Sequence, residues 1–165
     1  MNIGVGRREV LRREVVLGGL ALAAMPSLAK AATAEAAAGR LPPSKHYQDA
    51  RAAVAQGREI AVGRVALDLP RLAESGHSVT LKVRVESPMT EADYVKTVYL
   101  LAEQNPVALV ARFFLSPRSG RADVSTSIRL ATTQTIHAIA EMNSGALFEA
   151  QAESVVLLAA CLDGG

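Results

Sequence analysis

Three stretches of the chain alternate apolar and polar side chains with a period of two. In the first, Val79, Leu81, Val83 and Val85 interleave with Thr80, Lys82, Arg84 and Glu86. In the second, Ala122, Val124, Thr126, Ile128 and Leu130 interleave with Asp123, Ser125, Ser127 and Arg129. In the third, Ile136, Ala138, Ala140 and Met142 interleave with Thr135, His137, Ile139 and Glu141. Successive side chains of a strand point to opposite faces, so each stretch predicts a strand with one face inward and one wet. Less regular β-branched or apolar runs fill the intervals: 60–67, interrupted by Gly63, then 95–101, 107–115 and 147–158, the last holding one or two strands. Turn-forming clusters separate them: Glu74-Ser75-Gly76, Ser87-Pro88-Met89-Thr90, Gln104-Asn105-Pro106, Ser116-Pro117-Arg118-Ser119-Gly120 and Asn143-Ser144-Gly145. About seven short strands with turns at this spacing predict an all-β chain, an immunoglobulin-like antiparallel β-sandwich. Upstream, residues 47–56 predict a short helix ended by Gly57, and Leu41-Pro42-Pro43-Ser44 stops any earlier one.

The first thirty-odd residues follow a different pattern. Arg7, Arg8, Arg12 and Arg13 precede the apolar run Val15 to Met25, and Ser27-Leu28-Ala29-Lys30-Ala31 places small residues where a signal peptidase reads. Arg7-Arg8 followed by Glu9-Val10-Leu11-Arg12 fits a twin-arginine leader. Residues 1–31 are therefore expected to be a signal peptide directing the chain to the periplasm, cut after Ala31 or, as a second choice, Ala34. Eleven apolar residues are too few for a membrane anchor, since a spanning helix needs about 20. The remaining expected divisions are an N-terminal extension with the short helix (32–58), the sandwich (59–158) and a C-terminal arm (159–165).

Charge and composition change the picture only after the leader is set aside. The 165 residues carry 18 basic and 16 acidic side chains, and half are hydrophobic, which excludes a disordered chain. The leader holds five basic residues against two acidic ones, so it takes the positive excess with it and leaves a net −1 from the whole chain's +2. Binding to nucleic acid, which needs a basic stripe, is not expected.

Candidate chemistry is sparse. His46, His77 and His137 lack a second ligand at metal-binding spacing, so solvated histidines and no metal site are expected. Glu91 and Asp93 follow a Ser-Pro-Met-Thr turn and read as turn capping rather than as an acid/base pair. No nucleophile elbow, phosphate loop or Cys-x-x-Cys pair is present, so no catalytic residue is assigned. The single cysteine, Cys161, stands apart, because one thiol forms no internal disulfide. In an exported chain a lone thiol invites exchange and oxidation. Two readings stand: an incidental small apolar residue after the last strand, or a group attached for delivery. Extension from Leu158 would carry Cys161 roughly 10 Å outward. Asp163 and the C-terminal carboxylate would raise the thiol pKa, so a partner protein would have to activate it.

Several segments resemble the SoxY family, the sulfur carriers of the periplasmic thiosulfate-oxidising system. They are Leu67-Asp68-Leu69-Pro70, the run Glu86 to Lys96, Asn105-Pro106, Ser116 to Gly120, Val124 to Ala131, Thr133-Gln134-Thr135, and Ala138 to Gly145. The resemblance runs from about Gly63 to the end of the chain, and the leader fits it as well. It implies an immunoglobulin-like sandwich paired as a heterodimer with a second β-sandwich, SoxZ, and a carrier rather than an enzyme. It also implies that Cys161, by position, holds sulfur intermediates on an arm made of Ala159, Ala160, Leu162, Asp163, Gly164 and Gly165. No cofactor is expected beyond that covalently bound sulfur. The partners implied are a haem enzyme, SoxXA, that couples thiosulfate to the thiol, and a manganese hydrolase, SoxB, that releases sulfate. A sulfane dehydrogenase is a further implied partner.

The ending departs from the family's Gly-Gly-Cys-Gly-Gly. Ala159-Ala160 replace the first two glycines, and Leu162-Asp163 stand between the cysteine and Gly164-Gly165. Glycine adds no Cβ to an arm that threads a channel, so these residues stiffen and widen it. The alternative reading is a divergent non-carrier assembly subunit with a vestigial or interchain-disulfide cysteine. A thiol peroxidase would need a resolving thiol or an activating base that the sequence does not show.

Overall fold

The structure, a computed structural model, describes residues 41–160. Its first element is the helix α1 (Lys45–Ala55). Ser44 caps it by accepting the Tyr47 N–H at 3.2 Å, and Gln56 ends it in the left-handed region at φ 49°.

Nine strands follow: β1 (Ile60–Val62), β2 (Val65–Asp68), β3 (Leu72–Ser75), β4 (Val79–Val85), β5 (Val95–Ala102), β6 (Leu109–Phe114), β7 (Ala122–Ile128), β8 (Gln134–Met142) and β9 (Leu147–Leu158). They form two sheets. The larger runs β1-β9-β8-β5-β6 with β3 also on β9, and the smaller is β2-β4-β7. The expected sandwich is what the chain builds, and its core is the set of inward positions read from alternation. Val79, Leu81, Val83 and Val85 of β4 face Val98 and Leu100 of β5 and Ile136, Ala138 and Ala140 of β8. The polar partners Thr80, Lys82 and Arg84 are exposed.

Three features depart from the sequence pattern. First, 60–67 is two strands on different sheets, because Gly63 (φ 125°) and Arg64 (φ 56°) turn the chain from one sheet to the other. Second, the chain then returns to the large sheet as β3, whose sequence Leu-Ala-Glu-Ser carries no alternation to announce it. β1 and β3 lie along opposite ends of β9, and both pairings are parallel: Ile60↔Leu147 at one end, Leu72↔Val155 at the other. Between them a crevice of about 620 Å³ opens beside β9, lined by Leu67, Leu69, Arg71, Gln151, Ala152, Glu153 and Val155. Third, β8 was expected to have a wet face and is buried on both. The outer face is dry because α1 lies across it, packing Tyr47 and Val54 against Leu101, Ile139 and Leu147.

The described part of the expected N-terminal extension is thus a third layer on the sandwich, in one compact unit with it. Among the described residues, no helix is long and apolar enough to cross a membrane.

Candidate functional site

The two ends of the site are the C-terminal edge of the sandwich and the face beneath α1. At the edge, β3 and β9 run parallel, and Gly76 carries the ladder one step further by donating its N–H to Leu158 O at 2.8 Å. Gly76 O accepts the Leu130 N–H at 2.8 Å, and Leu130 O accepts the Ala160 N–H at 3.2 Å. Three separate chain segments are therefore tied together where β9 ends. Glycine at 76 is needed for space, because a Cβ there would stand 2.2 Å from Leu130 O and 2.9 Å from Ala160 N.

Ala160 is only 3% exposed. Of the residues expected to form the arm, Ala159 is at the surface and Ala160 belongs to the body. The arm's root is consequently not Leu158. Ala160, two residues beyond that strand, is held by a backbone hydrogen bond and by burial, so the outward reach to Cys161 is measured from Ala160. Cys161, Leu162, Asp163, Gly164 and Gly165 lie outside the described residues, as do Arg7, Arg8 and the expected cleavage sites after Ala31 and Ala34.

The second feature is a buried polar cluster that the sequence pattern concealed. His137 stands on the outer face of β8, as alternation requires, yet it is 5% exposed instead of solvated. Its Nδ1 meets Glu149 Oε1 at 2.5 Å and its Nε2 meets Glu103 Oε1 at 2.9 Å. Each ring nitrogen therefore faces a carboxylate oxygen. From α1, Arg51 donates twice to Glu149, at 2.7 Å each, and Tyr47 lays its ring 4.8 Å from the imidazole. Burial pushes the Glu149 carboxyl upward, but hydrogen bonds from His137 and Arg51 outweigh it and hold the group at about 2. Burial raises the Tyr47 hydroxyl to about 12.

A parallel network ties the end of the helix. Arg58 donates to Glu141 Oε1 and to Gly145 O, each at 2.9 Å, and the Tyr99 hydroxyl donates to Glu141 Oε2 at 2.8 Å.

This cluster fastens a helix to a sheet. Glu103 and Glu149 approach opposite nitrogens of one ring, so the three cannot converge on a common point. Among the described residues, no group of three or more His, Cys, Asp or Glu is arranged to hold a metal ion. The sequence does carry a signal for it. Ile139, an apolar residue among the supposedly wet positions of β8, marks a covered face. His46 and His77 are exposed, as expected. Asp93 caps a turn by accepting at its carbonyl from Thr90 N–H, and its carboxylate pairs with Arg64 at 3.0 Å.

A model of the family described as "Sulfur oxidation protein SoxY" matches residues 51–161, from within α1 to the cysteine. A comparison with curated protein sequences gives no match. Among solved structures, the chain is similar to the sulfur carrier protein SoxY from Chlorobium limicola f thiosulfatophilum. The TM-score is 0.57 at 23% identity, covering 79% of this chain and 100% of that one. It is also similar to a superoxide reductase (neelaredoxin) from Ignicoccus hospitalis, with a TM-score of 0.53 at 19% identity, covering 61% of this chain and 97% of that one. At these identities the structural likenesses speak for the sandwich alone.

Proposed function

The chain belongs to the SoxY family of sulfur oxidation proteins, and on that premise we propose that it carries sulfur covalently on Cys161. The observation that supports this most directly is positional. The family match extends to residue 161, and the residue before it, Ala160, is tied to the body through its N–H to Leu130 O. The thiol is thus the next residue after an anchored one.

In the loading step the Cys161 thiol and thiosulfate join through a new S–S bond, releasing one proton and two electrons. A haem partner of the SoxXA type takes the electrons. Hydrolysis by a manganese partner of the SoxB type then cleaves the bond to the sulfone group. Water supplies the fourth oxygen of sulfate, two protons are released, and a persulfide stays on Cys161, which a sulfane dehydrogenase would oxidise further. The chain itself supplies the attachment point and the platform and no catalytic group. A SoxZ-like sandwich is the partner in the heterodimer, and a twin-arginine leader with Arg7 and Arg8 delivers the pair to the periplasm.

Intact-protein mass spectrometry tests the reading. Thiosulfate with the oxidising partner is expected to add a thiosulfonate mass to the wild-type chain and none to Cys161→Ser. An unchanged wild-type mass, under conditions that load another family member, rejects it. The changed residues flanking the thiol favour a second reading, an assembly subunit that carries nothing. On that reading Cys161→Ser leaves sulfur oxidation intact and alters only dimer bands on a non-reducing gel.

A further inference from the structure

We propose that the gap in the large sheet between β1 and β3 is a binding site for an extended peptide segment of a partner protein, which pairs with the middle of β9 as an added strand. The proposal stands apart from the carrier reading and needs no sulfur chemistry.

β1 pairs with β9 only as far as Glu149, and β3 joins it only from Val155. Between those points β9 is paired with β8 alone. The register says which backbone groups are left over. Met142 N–H donates to Ala146 O across the β8–β9 hairpin, and the pairing of the two strands runs without a shift from there to Ser154. Even-numbered residues of β9 thus turn their N–H and C=O toward β8, and odd-numbered ones turn theirs the other way. Val155 follows this rule, since its N–H donates to Arg71 O at 2.8 Å on the far side. Gln151 and Glu153 therefore direct their N–H and C=O groups into the gap. Among the described residues, neither a strand nor a side chain meets them.

The gap has room and a definite chemistry. Six residue steps separate Glu149 from Val155, about 20 Å at about 3.3 Å each, which accepts an extended stretch of about four residues. The crevice of about 620 Å³ lies there, within the usual size of a ligand site. Leu67, Leu69 and Ala152 give it an apolar side, while Gln151 and Glu153 are exposed at its outer rim. Arg71 and Glu153 carry opposite charges, so neither sign of ligand is favoured.

These features select the occupant. Donors and acceptors that repeat along a strand edge are matched by another extended backbone, the mode by which peptides add to sheets. An apolar recess on one side and water on the other call for apolar and polar side chains at alternate positions of that segment.

Amide hydrogen exchange of the mature chain tests the proposal, with the blocked peptide acetyl-Thr-Val-Thr-Val-Thr-amide as the probe. In the free chain the amides of Gln151 and Glu153 are expected to exchange faster than those of Ala150, Ala152 and Ser154, which face β8. Saturating peptide is expected to slow exchange at both by about tenfold or more, and the same peptide methylated on its backbone nitrogens is expected to slow neither. Gln151→Pro removes an N–H that faces the gap and no bond to β8, so it is expected to abolish binding, whereas Gln151→Ala keeps it. Should the proline variant fail to fold, the methylated peptide makes the same comparison. Slow exchange at both amides before peptide is added overturns the proposal, because the chain would then fill its own gap. Exchange that the peptide leaves unchanged also overturns it, as does loss of binding in Gln151→Ala, which would assign recognition to the side chain.

Discussion

At the scale of single residues, the site depends on what is missing at position 76. In the sequence Gly76 is one more turn residue after Glu74-Ser75. Its role appears only when three distant segments meet, because a Cβ would be 2.2 Å from the Leu130 carbonyl. Both contacts are backbone, so neither can rotate aside. Gly76→Ala is therefore expected to cost about 1–3 kcal/mol, read as a lowered urea midpoint. It is also expected to raise hydrogen exchange at the Ala160 amide, whose acceptor is displaced. Unchanged exchange there would show that the tie does not hold the root. Glu149 is the second such residue. It reads as one polar position among several, yet it accepts from Arg51 twice and from His137. Glu149→Gln leaves the Arg51 guanidinium and the His137 ring facing a neutral amide and is expected to cost about 2–3 kcal/mol, toward the penalty for breaking a partly buried ion pair from one side.

At the scale of elements, α1 is held by charge as much as by apolar contact, and its attachment should depend on acid. The Glu149 carboxyl falls from its ordinary 4.5 to about 2 in the folded protein. Glu141 is also lowered, since hydrogen bonds from Arg58 and Tyr99 outweigh the burial that would raise it. A carboxyl depressed on folding stabilises the fold above its unfolded pKa, and that stabilisation is lost as pH falls through the folded value. Glu149 thus contributes about 3 kcal/mol near neutrality, and this is expected to drain away between about pH 4.5 and pH 2. Amide exchange of α1, followed through that window, should rise before exchange of β4, which the network does not touch. Arg51→Met should flatten the acid dependence. The helix itself was legible in its length and in Gly57, while its start two residues earlier, capped by Ser44, was not. Its docking was not, because nothing in a local pattern says which sheet face it will cover.

At the scale of the whole molecule, alternation was enough to predict two packed sheets and most of the core, since burial of one face sets a period of two directly. It could not predict which strand lies beside which. β3 has four residues and no alternation, and it exists because β9 offers it an edge. Nor could alternation say what the short helix of the N-terminal extension covers: in the structure the helix lies in one unit with the sandwich, over Leu101, Ile139 and Leu147. This yields a last prediction. A chain starting at residue 41 keeps every described contact of the helix and is expected to unfold like the mature protein. A chain starting at residue 59 exposes those three apolar side chains together with His137, Glu103 and Glu149, and it loses both Arg51 and Arg58. It pays twice: the apolar patch meets water, and the carboxylates lose their cations. The expected outcome is a lower unfolding midpoint with concentration-dependent association on size exclusion, relieved in part by Ile139→Thr. If the shorter chain were monomeric and equally stable in urea, the helix would be an appendage and the sandwich alone the folding unit.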